Sequence, residues 1–442
     1  MNEHEEMLSI LRHGCFIPCL TMFLTLAHAQ TGDKVILNHA DSGIGLEIAG
    51  EQVRKLIGHV NFTHGRVVVT CDTAIQYMRS NKVDFEGHVV VRQDTLTMTA
   101  KRGTYFPDGK IIEAFDDVHL DDGKTTLLAE YGKYFAQEKK AYFRTNVFVH
   151  DSTTTSNSNE LTYFRDDQKS IAEGNVDIYN AENRITLTGN HFENFKKQNY
   201  SKMTQQPMAI EVDTASDGEI DTLVVSSRVM ESYQDSVPRL VATDSVALTR
   251  AGLSATSGLG TFFTKSDSIV FRRSPVVWYT HSAWETTQVS GDSMFVKLNK
   301  RRLERLYVNG QAFALSRADS LQSLRYHQMA GQNLTMHFAD NAIQRIEVDK
   351  TATVLYYIFD GKNPNGANRT SGDHVSILFL DKKIDKIKVK SGVEGEYFPE
   401  KMLKNKEDDY NLSGFRRQEQ YRRTSTVKVK TGQPSPFKTS PQ

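Results

Sequence analysis

Few side chains in this sequence offer reactive chemistry, and their spacing does not assemble it. His327 and His337 have no acidic or cysteine partners at metal-ligand spacing. The run Ser254-Ala255-Thr256-Ser257-Gly258-Leu259-Gly260 is rich in small residues but lacks the strand-Ser-helix setting that exposes a nucleophilic serine. His59, His88 and His119 are taken as one column, each facing outward beside polar neighbours, which is a surface placement. Paired carboxylates fall in turns, and no glycine loop has the spacing that cradles phosphate. Asp244-Ser245, Asp267-Ser268, Asp292-Ser293 and Asp319-Ser320 each open an apolar stretch, which is ordinary turn chemistry and not metal ligation. No catalytic residue, metal site or cofactor is therefore expected.

What is spaced regularly is apolar. Valines stand at positions 60, 89, 118, 147 and 176, one every 29 residues, each inside a short strand-like segment. Two residues on come Phe62, Val91, Leu120, Val149 and Ile178. At strand periodicity Val60, Phe62, Val89, Val91, Val118, Leu120, Val147, Val149, Val176 and Ile178 point to one side. His59, Asn61, His88, Arg92, His119, Asp121 and Asp177 point to the other. A stacked aliphatic lining of this kind binds hydrocarbon: each acyl CH₂ buried gains ~0.8 kcal/mol with no charged contact. Similar layers also let a chain slide with little change in free energy. The same pattern equally describes a closed core with no ligand.

The elements that carry the lining keep the same step. Further columns are Val69, Met98, Leu127, Ser156 and Ile185; Cys71, Ala100, Ala129, Ser158 and Leu187; Tyr105, Tyr134, Tyr163 and Phe192; and Phe85, Ala114, Phe143 and Ala172. The last alternates large and small, as packed layers do. Period-two alternation and turns such as Pro107-Asp108-Gly109 and Asp121-Asp122-Gly123 predict an all-β stacked repeat. Leu321 to Met329 carries the sole hint of a helical turn. Residues 30–194 form the first unit, 195–207 a polar linker, 208–400 a second unit with looser spacing, and 401–442 a flexible basic tail.

Cys15 to Leu26 is apolar and ends in Ala27-His28-Ala29, which predicts a secretory signal over residues 1–29, with Met1 or Met7 as the start. Its removal takes Cys15 and Cys19 and leaves Cys71, read as an unreactive core thiol. Lys+Arg and Asp+Glu balance at 54 each, so there is no long-range field to draw in nucleic acid.

The Gly-x-Val-x-apolar strands, their 29-residue step and the signal together resemble the OstA/LptA-type proteins of lipopolysaccharide transport, in particular the longer OstA-like form of Bacteroidetes-type bacteria. The resemblance covers roughly residues 33–400. It implies a β-jellyroll, two antiparallel sheets in an open V, holding the lipid A acyl chains of lipopolysaccharide between them in the periplasm. Strand ends left unpaired invite strand addition by other transport components or by further copies, head to tail. Val35 to Leu37 and Ile384 to Val389 are the candidate edges. A carbohydrate-active parallel β-helix would show a polar cluster of acids and bases on one face, which is not found. A structural or adhesive envelope protein without lipid cargo stays open as the alternative.

Overall fold

The computed structural model describes residues 35–64, 66–182, 184–214, 220–263, 265–280, 286–299, 302–319, 324–339, 342–361, 363–380 and 383–422. The signal segment, Cys15, Cys19 and the choice of start lie outside them. The described chain is almost entirely strand and forms two compact units, residues 35–209 with 231–235, and residues 210–230 with 236–422.

The first unit is a meander in which β1 and β2 both pair with β3, and from β2 onward each strand pairs antiparallel with the next. Its strands are β1 (Ile36–His39), β2 (Ser42–Ile48), β3 (Glu51–His64), β4 (Val67–Tyr77), β5 (Lys82–Gln93), β6 (Leu96–Phe106) and β7 (Ile111–Asp121). It continues through β8 (Thr126–Phe135), β9 (Lys140–His150), β10 (Thr154–Phe164), β11 (Lys169–Asn180), β12 (Ile185–Phe195) and β13 (Tyr200–Thr204). The 29-residue step is thus one hairpin, two strands and two turns.

Each odd strand from β3 to β11 is broken near its middle by a two-residue bulge. In β3, Ile57 faces Thr73 and Val60 faces Cys71, so Gly58 and His59 together oppose Asp72. The same happens at Gly87-His88, Asp116-Asp117, Thr145-Asn146 and Gly174-Asn175. All ten residues take positive φ, from 43° at His88 to 78° at Gly58. Bulges bend and twist a strand, and repeating one at the same height folds the whole sheet along a line. The pairing between neighbours continues on both sides of that line. The two walls expected as separate sheets are therefore the two halves of one bent sheet. Gly87 is required twice over: it has φ +74°, and a Cβ there would lie 2.1 Å from Asp72 Oδ2.

The core lies in the fold of this sheet. Phe85, Ala114, Phe143 and Ala172 are all buried, at 8%, 2%, 3% and 1% exposed. Across the strands Phe85 pairs with Ala74 and Gly103, and Phe143 with Gly132 and Leu161, so each ring lies beside at least one small partner. The expected columns fail in the fifth copy. Ile178 faces Leu187 and Val176 faces Gly189, two residues later than the constant step requires. The longer turn between β11 and β12 absorbs the extra pair. Leu187 consequently takes the place foreseen for Ile185, and Phe192 joins the Ala74, Gly103, Gly132, Leu161 column, leaving the tyrosine column.

The stretch foreseen as a linker is structured. After one turn of 3₁₀ helix at Lys196–Gln198, β13 pairs along β12 from Phe195↔Tyr200 to His191↔Thr204. Tyr200 donates its hydroxyl proton to Glu231 at 2.6 Å, which closes the first unit at this end.

Strand β14 (Met208–Thr214) leads to the second unit's β15 (Ile220–Ser226), β16 (Val229–Tyr233), β17 (Arg239–Arg250), β18 (Leu253–Phe263), β19 (Ser268–Arg272), β20 (Val276–Thr280), β21 (Thr286–Ser290) and β22 (Ser293–Asn299). Long strands follow: β23 (Arg302–Arg317), β24 (Tyr326–Ala339), β25 (Ala342–Asp360) and β26 (Asn363–Leu380), then β27 (Lys383–Lys390) and β28 (Glu394–Phe398). Positive-φ bulges recur at Asp244-Ser245, Gly310-Gln311 and Lys350-Thr351. Asp244-Ser245 is thus a bend inside a strand, not a loop. Residues 326–329, part of the stretch where a helical turn was hinted, open β24 and pair antiparallel with Arg317 to Ala314 of β23.

The segment after Lys401 is not a solvated tail as far as residue 422. A short helix α1 (Glu400–Leu403) is followed by a 3₁₀ turn at Glu407–Tyr410 and then by irregular chain to residue 422 that packs on the second unit. Leu403 and Leu412 are buried with Phe313, Leu315, Tyr326, Leu355, Tyr357 and Ala367, and Phe415 packs beside them. Where its backbone crosses strands it meets glutamines. Buried Gln328 accepts from Leu412 N, and Gln288 both donates to Arg416 O and accepts from Gln418 N. These contacts satisfy an extended backbone that has no strand neighbour.

Candidate functional site

The ten lining residues are brought to one side of the first unit. Val60, Val89, Val118, Val147 and Val176 are 0–2% exposed, and Leu120, Val149 and Ile178 are 2–5% exposed. Phe62 and Val91 are half-buried. They sit just beyond the bulge line, on one wall of the bent sheet. Facing them are residues from before the line: Val60, Cys71 and Val89 pack with Ala74 and Phe85, flanked by Leu56, Val83 and Tyr105. The interior is largely aliphatic and aromatic, with its walls in mutual contact; in the fourth copy buried Ser156 and Ser158 stand across from Val149 and Val147.

The outward set is exposed or half-buried throughout. Its histidine column needs correction. His59 and His88 occupy the second bulge position, but the third copy of that position is Asp117; His119 lies two residues further along β7. The bulge residues are pinned by charge from the neighbouring strand. His59 Nδ1 bonds Asp41 Oδ2 at 2.9 Å and His88 Nδ1 bonds Asp72 Oδ2 at 2.8 Å. In the third copy the polarity reverses, with Arg102 Nε donating to Asp116 at 2.8 Å. Hydrogen bonds from His59 and His39 hold the Asp41 carboxyl below its ordinary value, and Asp41 in turn raises His59. These pairs fix the corner of the sheet; they have no access to the apolar interior.

Cys71 faces Val60 inside the fold and is 4% exposed. Burial, with a smaller contribution from the charge of Asp72, pushes its thiol up to about 11. Only the thiolate reacts readily, so folded protein is expected to resist maleimide at neutral pH and to label fully in denaturant. Rapid labelling of the folded chain would show an opening of the interior at this level.

The candidates for catalysis disperse. Ser254 to Gly260 lies within strand β18, and Ser254 Oγ accepts from Gln420. His327 stacks on Tyr356 with ring centroids 4.4 Å apart, accepts from Tyr357 N, and is pushed by burial down to about 4, so its ring is neutral. His337 does find an acid, Glu347 at 2.7 Å, across the strand pair and invisible in linear spacing. Among the described residues no group of three or more His, Cys, Asp or Glu could hold a metal ion.

Sequence reading missed an apolar pocket within the second unit. Leu223, Leu248, Leu253, Ile269, Phe271 and Leu306 are among its walls, with Arg250 at its edge, bonded to Asp221. Its looser strand spacing gave no column to follow.

The ends of the two meanders carry unsatisfied edges. β1 and β2 pair with β3 alone among the described strands, and Val35, Ile36, Leu37 and Ile44 are 50–63% exposed. β27 and β28 both pair with β26, one on either side of a positive-φ break at Ser391-Gly392. Among the described residues both are split strands with one flank unpaired.

Residues 32–188 match the family described as OstA-like protein. The chain carries an OstA-like domain. The matched span begins just before β1 and ends in β12, so it covers all five bulged copies. No curated protein matches the chain. No described helix is long and apolar enough to cross a membrane.

Proposed function

We propose that this protein is a periplasmic bridge that carries lipopolysaccharide towards the outer membrane, with the lipid A acyl chains held in the fold of the OstA-like domain. The observation that carries the reading is the row of buried valines, Val60, Val89, Val118, Val147 and Val176, repeated five times at one height inside the matched span. The two split edge strands support assembly by strand addition, with partner components of the same machinery or with further copies. Their exposed apolar residues on β1 and β2 are what an added strand would cover.

One observation favours a second reading, a structural envelope protein without cargo: eight of the ten lining residues are already buried by the chain's own packing. A photo-crosslinking amino acid at Leu120, with His119 as control, separates the two in the living source bacterium. Capture of lipopolysaccharide at Leu120 and not at His119 is the result expected of a lipid path. Capture at neither position, in folded and exported protein, overturns it in favour of a closed core.

A further inference from the structure

Register places four cations, with a histidine and a leucine between them, in one row across the second unit. Lys297 on β22 faces Arg305 on β23, Arg305 faces His337 on β24, and His337 faces Arg345 on β25. Arg345 faces Leu378 on β26, and Leu378 faces Lys386 on β27. Neighbouring strands are ~4.8 Å apart, so the row runs about 24 Å along a sheet surface. It contains no carboxylate. Lys388 and Lys390 extend it along the β27 edge, both exposed. Acids nearby answer only part of this charge: Glu347 bonds His337 and lies 3.6 Å from Arg345, and Glu304 lies 3.6 Å from Arg305. The side chains of Arg305 and Arg345 still keep 46% and 45% of their surface. In a chain whose charges balance overall, this is a local concentration. At its end Leu380 is 64% exposed.

We propose that this face docks on the phosphate headgroups of an anionic lipid bilayer. A broad sheet surface with cations at strand spacing matches an extended plane of phosphates better than a single small anion, which needs convergent donors in a cleft. An exposed leucine at the end of β26, the strand paired with lysine-bearing β27, is suited to enter the headgroup boundary while Lys386, Lys388 and Lys390 pair with phosphate. The inference is separate from the groove reading, and the two can fail independently.

Sedimentation of the full chain with vesicles tests it. Binding is expected to phosphatidylglycerol vesicles and not to phosphatidylcholine vesicles, and should weaken as salt is raised. The variant R305Q/R345Q/K386Q is expected to bind about a hundredfold more weakly, from roughly fivefold for each basic residue at a membrane surface. Its unfolding curve, unchanged, would show that the fold is intact. Should that variant not fold, R345Q alone serves, with about a fivefold loss. Equal binding to both vesicle types, or full binding by the folded variants, overturns the proposal. So does displacement by inorganic phosphate at matched ionic strength, which would mark a free-phosphate site.

Discussion

Arg325→Met is expected to cost the second unit about 3–5 kcal/mol, the range for removing one partner of a buried ion cluster. The Arg325 side chain is 3% exposed and donates to Glu400 at 2.8 and 2.9 Å and to Glu407 at 3.1 and 3.3 Å. Its guanidinium also lies 5.5 Å from the centre of the Tyr357 ring. Methionine would fill much of the volume but leave two carboxylates without their cation, Glu407 only 10% exposed. The effect should be local first. Trypsin should cut at Lys404 and Lys406 in the variant well before the strands yield, because this arginine anchors the start of the crossing segment.

Acid provides the internal control. The bond from Arg325 holds Glu400 below its ordinary value. A depressed carboxyl gives stability that is present above the unfolded value and is lost as pH falls through the folded one. In the variant the unpaired Glu400 carboxylate is relieved by taking up a proton instead. The gap between wild type and Arg325→Met in urea should therefore narrow from pH 7 towards the carboxylate range. A gap that is constant with pH would assign the loss to packing alone.

This anchor also shows where the sequence stopped being legible. The 29-residue columns could be read because one hairpin fills one step, and stacking makes the same position meet the same surroundings each time. Phe85, Ala114, Phe143 and Ala172 fall together for that reason. The segment after Lys401 has no such repetition. Leu403, Leu412 and Phe415 are its apolar anchors, and their spacing follows no secondary-structure period. Part of its backbone is bonded by glutamines on strands more than 80 residues away in sequence. Composition alone made it look solvated. The bulges were half visible: Gly58-His59 and Gly87-His88 carry the glycine that a left-handed turn favours. Asp116-Asp117 and Thr145-Asn146 reach the same φ without one, Thr145 at 67° despite its branched Cβ. Only the alignment of copies could have marked them as bends. The lining residues themselves were placed on one side as their alternation implies, but whether that side opens to a lipid is a property of how the walls part, which periodicity does not encode.

The interlocking of the walls makes a second large effect predictable. Phe143→Ala is expected to destabilise the OstA-like domain by about 3–5 kcal/mol through the cavity it leaves. Phe143 is 3% exposed, and a Cβ built on Gly132, its partner across the strand pair, would lie 3.2 Å from the ring. In the wild type, therefore, Gly132→Ala crowds the ring and should destabilise. In the Phe143→Ala background the same alanine enters vacated space and should restore part of the loss, gaining helpful contact with Val118, whose Cγ1 lies 3.5 Å from that Cβ. The two changes are thus expected to be non-additive with a coupling of roughly 1 kcal/mol, the size seen for residues in contact. Unfolding of the single and double variants in urea measures it. Additive losses would mean that the ring has room to move away from Gly132, and that the walls at this level are looser than their contacts indicate. Such looseness is also what a passing acyl chain would need. If the coupling is instead found and Leu120 still captures lipid, the lipid must enter between walls that separate as units, with each layer keeping its own packing.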